Sequence, residues 1–112
     1  MISIDELNNL IATYEKFGWI ARRLLLTEAT RDELQAALSN LSADIDVHSA
    51  SFNAAWFSRP AESGETAWEL RAIGLSPFAI LERLDEQQPD FESQLRQVEG
   101  QMARAIGQGK AA

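Results

Sequence analysis

The sequence predicts a single α+β domain: an antiparallel sheet of three or four strands, with N-terminal helices and a C-terminal helix packed on one face. Three observations carry this expectation. Two tryptophans stand in near-identical settings, Ala55-Trp56-Phe57-Ser58-Arg59 and Ala67-Trp68-Glu69-Leu70-Arg71, on either side of the polar stretch Pro60-Ala61-Glu62-Ser63-Gly64-Glu65. Aromatic-containing runs bounded by Pro and Gly read as a β-hairpin joining 54–59 to 66–73. Helical patterns precede and follow the strand-like segments, an order that segregates helices from an antiparallel sheet. Finally, 112 residues suffice for one domain and not for two ordinary ones. Residues 1–106 are expected to form it, with 107–112, Gly-Gln-Gly-Lys-Ala-Ala, as a disordered tail.

The first helix is expected over residues 4–15. Ser3-Ile4-Asp5-Glu6 is a capping box, in which the serine oxygen accepts from the N3 amide. Leu7, Leu10, Ile11 and Tyr14 follow at helical spacing, and Gly18 helps to stop the helix. From Phe17 to Thr27 the run is short and apolar, which favours a strand, although Ala21, Arg22 and Arg23 would also suit a helix. Thr30-Arg31-Asp32-Glu33 reads as a second capping box, opening a helix that carries Leu34, Ala37, Leu38 and Leu41 and ends near Ser39 or Leu41.

Asp44-Ile45-Asp46-Val47-His48 alternates polar and apolar residues, which permits a short half-buried strand. After the hairpin, Gly74-Leu75-Ser76-Pro77 is a turn. Phe78, Ile80 and Leu84 then suggest a further antiparallel strand, and Leu81, breaking the alternation, suggests cover on both of its faces. Gln87-Gln88-Pro89-Asp90 opens the last helix, whose stripe is Phe91, Leu95, Val98, Met102 and Ile106.

Composition excludes several function classes. The chain has no cysteine, which removes disulfides, thiolate metal sites and a thiol nucleophile. Its start, Met1-Ile2-Ser3-Ile4-Asp5-Glu6, is acidic where a secretory signal is basic. The most apolar run, Phe17 to Leu26, is broken by two arginines and falls far short of the ~20 residues that span a bilayer. A cytoplasmic protein without membrane contact is expected. A net charge of −7 repels phosphate backbones, so nucleic acid is not an expected partner. That charge suits a basic partner, and equally it keeps a small protein soluble.

Four constellations could carry function. Trp56 and Trp68 would face each other in a register that also sets Arg59 opposite Glu65; they form either an aromatic surface or, more in keeping with their size, core under the helices. Asp44, Asp46 and His48 project to one side of an extended segment and have the donor chemistry for a divalent ion or for acid–base work. They lack a recognisable fourth ligand, and a solvated strand yields the same pattern; no metal or cofactor is expected. Arg59, Arg71 and Arg83, with Arg22 and Arg23, could grip a carboxylate or phosphate across a sheet, but the interleaved Glu65, Glu69 and Glu82 would also account for them as cross-strand ion pairs. Last, apolar residues fall on both hairpin faces. An interaction surface of Phe57, Arg59, Arg71 and Ile73 is therefore expected, covered by a protein partner or by a second copy in a weak homodimer.

No phosphate loop, H-E-x-x-H, G-x-S-x-G, EF-hand loop or paired CxxC occurs. The expected function is thus that of a small acidic, non-enzymatic protein-interaction domain of adaptor, chaperone-like or immunity-like type. The alternative is a small enzyme or a ligand- or metal-binding domain built on Asp44, Asp46 and His48 or on the sheet arginines.

Overall fold

The computed structural model describes residues 3–40, 44–60, 66–74 and 78–107. Along the chain run α1 (Ile4–Lys16), β1 (Ile20–Leu26), α2 (Glu28–Leu38), β2 (Asp46–Ser49), β3 (Ala54–Pro60), β4 (Thr66–Ala72), β5 (Ala79–Leu84) and α3 (Phe91–Gly107). The α+β class holds. The sheet has five strands, not three or four, in the order β2-β1-β3-β4-β5. It is also mixed: β1 and β2 pair in parallel, and every other pair is antiparallel. The parallel pair follows from α2, a helical crossover that returns the chain to the same end of the sheet.

Helices cover both faces, contrary to the expectation of one. On the first face, α3 lays Phe91, Leu95, Val98 and Met102 over Leu25, Trp56, Trp68 and Leu70. On the second, Leu7 and Ile11 of α1 and Leu34 of α2 pack on Leu24, Leu26, Ala55 and Phe57. β3 is the central strand, and its residues from Ala54 to Ser58 are all buried. Large side chains on both sides of β3 are therefore what a doubly covered strand requires.

The hairpin forms as expected, over slightly different bounds and in a register shifted by two residues. Trp56 lies opposite Leu70, Ser58 opposite Trp68, and Arg59 opposite Ala67. A two-residue shift preserves the face of every side chain, so the two indoles still meet, diagonally and edge-on, with centroids 6.1 Å apart. Trp56 Nε1 donates to Glu99 of α3 at 2.8 Å.

Local chemistry explains the element boundaries. Ser3 Oγ accepts from the Glu6 amide, as its capping box requires. Helix α1 ends in a Schellman motif: Trp19 N–H donates to Tyr14 O and Gly18 N–H to Glu15 O, with Gly18 at φ +87°. Helix α2 begins one turn earlier than its acidic stretch suggested. Its N-cap is Thr27, whose hydroxyl accepts from the Thr30 amide, while Thr27 N–H donates to Asn53 Oδ1. Leu41, the tail 108–112 and the hairpin residues 61–65 lie outside the described residues.

β5 forms where expected, but Leu81 is 60% exposed, so the strand is not covered on both faces. As the edge strand it outreaches the helices on the second face. No helix among the described residues is long and apolar enough to cross a membrane.

Candidate functional site

The expected surface of Phe57, Arg59, Arg71 and Ile73 is dismantled by α1. Phe57 is 0% and Ile73 6% exposed, and the ring of Tyr14 stacks on Phe57 at 3.9 Å between centroids. The apolar interruption assigned to a partner is thus filled by the chain's own first helix. Arg59 remains exposed, and Arg71 is half-buried.

The sheet arginines do not form a row. A register shift between Ala21 and Arg23 marks a bulge in β1, and both consecutive arginines meet groups at the α3 end of the molecule. Arg22 pairs with Glu86 through two hydrogen bonds of 3.0 and 2.9 Å, and its guanidinium lies 4.8 Å from the centroid of the Trp68 ring. Arg23 pairs with Glu92 at 2.9 and 2.5 Å. The Arg23 contact holds the Glu92 carboxyl below its ordinary range, and Glu92 reciprocally holds the proton on Arg23. These ion pairs run from the sheet to α3 and the segment before it, and involve none of the interleaved strand glutamates. Arg83 is exposed on the edge strand, opposite Ala67.

Asp46 and His48 sit exposed on β2, opposite Arg23 and Leu25, and Asp44 precedes that strand. Among the described residues, no three His, Asp or Glu side chains converge as a metal site. Asp44 instead helps to line a concavity with Glu15, Gly18, Trp19, Ile20, Ala21 and Ile45.

This concavity, of about 390 Å³, lies at the corner where α1 turns into β1. The Schellman motif there makes three apolar side chains diverge. Tyr14 and Trp19 close the apolar contact that usually accompanies the motif, their rings edge-on at 6.1 Å. Phe17, the C-cap residue, is 66% exposed although its spacing continues the apolar series of α1. Ile20 begins β1 opposite Ser58, close to where β3 emerges from its cover at Arg59 and Pro60, and is 55% exposed.

Arg59 fixes the corner from the neighbouring strand. Its Nη1 donates to the Phe17 carbonyl at 3.2 Å, and its guanidinium lies 4.8 Å from the centroid of the half-buried Trp19 ring. The result is an aromatic and aliphatic centre with Glu15 and Asp44 at its rim. Sequence reasoning missed Phe17 and Ile20 because both read as part of one short apolar run that fits a strand. The signal that marks them is Gly18, whose left-handed backbone ends α1 directly after Phe17 and turns the chain into β1 before Ile20.

A second polar concavity, of about 660 Å³, lies between α1 and the end of β4, lined by Glu6, Asn9, Thr13, Tyr14, Arg71 and their apolar neighbours. The Tyr14 hydroxyl donates to Glu69. Burial and then that carboxylate raise the phenol pKa to about 12, while Arg71 beside it acts in the opposite sense. A third, wider cleft runs between α2 and β2, where Arg31 donates to Ser49 at 2.6 Å.

No protein-family model, curated protein or solved structure matches the chain.

Proposed function

We propose that this chain is a non-enzymatic protein-binding domain that docks its partner on the corner formed by Phe17, Trp19 and Ile20. The supporting observation is the exposure of Phe17 (66%) and Ile20 (55%) on either side of a tryptophan that Arg59 holds in place. Trp and Arg are the residue types that dominate binding energy at interfaces. A preordered anchor also loses little conformational entropy on binding. Glu15 and Asp44 at the rim, with the net charge of −7, select a partner whose apolar contact residue is flanked by basic ones.

The same charge opposes pairing of two copies, so a different protein is the favoured occupant over the homodimer.

The test is quantitative capture from the native host with wild-type chain, Phe17→Asp, Ile20→Asp and Leu81→Asp as baits. Leu81 is exposed on the far edge strand and serves as the control. A partner held by wild type and Leu81→Asp, lost with both corner variants, and weakened by salt supports the proposal. A partner held equally by all four baits overturns the site. Sedimentation showing a dimer that Phe17→Asp dissolves would replace the foreign partner with a second copy.

A further inference from the structure

Arg71 differs from the other structured arginines of the sheet interior in what surrounds it. Arg22 and Arg23 each have a bidentate carboxylate partner. Arg71 forms no ion pair among the described residues: the neutral Tyr14 hydroxyl is its hydrogen-bonding neighbour, and its Nε is buried without an acceptor, so only the outer edge of the guanidinium is open to the cleft. The nearby carboxylate, Glu69, is engaged by the Tyr14 hydroxyl. A partly buried guanidinium carries a desolvation cost that a carboxylate partner normally offsets.

The surroundings of Arg71 suit such a partner from outside the chain. The side chain lines the 660 Å³ concavity between α1 and the end of β4, with Asn9 and Thr13 on the helix wall. These α1 residues share one face because they are spaced by four along the helix. The asparagine amide can donate and accept, and the threonine hydroxyl, which donates to Asn9 O at 2.8 Å, retains acceptor capacity. Tyr14, raised to about 12, stays a neutral phenol and adds no negative charge to the wall.

From this placement we infer that the cleft binds a small monocarboxylate bearing an amide, with Arg71 as the charge anchor and Asn9 and Thr13 receiving the amide. A planar carboxylate matches the guanidinium fork in a bidentate geometry. Glu6 on the wall and Glu69 next to Arg71 work against the second negative charge of a phosphate. The cleft lies on the other side of Tyr14 from the Phe17 corner, and the two sites bind through different residues, Arg71 in one and Phe17 and Ile20 in the other.

N-acetylglycine is the probe, titrated into the isotopically labelled full chain and followed by amide and arginine side-chain NMR signals. Saturable shifts confined to Asn9, Thr13, Tyr14, Arg71 and Ile73, with a millimolar dissociation constant, are expected. The neutral analogue N-acetylglycinamide should give no saturable shift. Arg83→Gln, on the exposed edge strand, should bind as wild type, whereas Arg71→Lys should bind about tenfold more weakly because a point charge replaces the fork. Spectral dispersion shows whether each variant is folded. The inference is overturned by absence of saturable shifts, by equal binding of the amide analogue, by undiminished binding to Arg71→Lys, or by tighter binding of inorganic phosphate.

Discussion

Tyr14 shows how one side chain can serve the core and a polar site at once. Its ring is stacked on Phe57, while its hydroxyl reaches Glu69 and neighbours Arg71. The helical spacing of Leu7, Leu10, Ile11 and Tyr14 made its inward orientation legible in the sequence. Its carboxylate partner was not, because Glu69 is 55 positions away and the contact exists only once α1 lies on the second face. The phenol pKa of about 12 has a definite consequence for stability. The unfolded chain releases this proton near pH 10, so stability associated with the neutral phenol is complete below that pH. It is lost as pH rises from about 10 through about 12. Tyr14 is the only tyrosine, so phenolate absorbance reports it directly. Glu69→Gln removes a group that raises the pKa and should move the titration midpoint down towards 10. An unmoved midpoint would show that the carboxylate does not act on the phenol.

At the level of elements, the sequence was most legible where local chemistry decides the outcome. The Ser3 cap, the Gly18 stop, the stripe of α3 and the parity of the two tryptophan strands all rest on contacts within a few residues. Thr27 was passed over as the cap of α2 because the denser acidic run begins at Thr30; the tie between Thr27 N–H and Asn53 Oδ1 is a tertiary contact. Similarly, period-2 alternation in residues 44–48 indicates an extended segment but not the direction in which it pairs. The strand–helix–strand order of β1, α2 and β2 carried that information. Gly18 offers a test of the element that shapes the candidate corner. A Cβ built on it would meet Arg59 Cδ at 3.5 Å, an ordinary contact, so space is sufficient. The backbone at φ +87° is not a conformation that alanine adopts freely. Gly18→Ala should therefore destabilise the fold by ~1–2 kcal/mol, seen as a lower urea midpoint with an unchanged slope. A neutral effect would mean that the turn relaxes without cost, and the corner would then lack the rigidity assigned to it.

The three layers of the whole molecule explain both why the hairpin looked two-faced and why its surface was misassigned. Helices from the two ends of the chain enclose a sheet whose middle strand contributes Trp56 to one core and Phe57 to the other. Without α3, Trp56, Trp68 and Leu70 would lose the Phe91, Leu95, Val98 and Met102 side chains that cover them. Burial of one such large side chain stabilises by ~1.5–3 kcal/mol, and a domain of this kind has only ~5–15 kcal/mol in total. Loss of the whole layer should therefore exceed what the remaining helices and sheet can supply. A chain ending at Gln88, made in a Trp19→Phe background so that only Trp56 and Trp68 emit, should show red-shifted fluorescence. It should also lose near-ultraviolet circular dichroism and bind ANS, the signs of a sheet without fixed packing. Supplying residues 89–107 as a separate peptide should restore part of the blue shift if α3 docks through its Phe91–Met102 stripe. A truncated chain that unfolds cooperatively with unshifted emission would show that the α1 and α2 face alone holds the sheet, and α3 would then be an appended element.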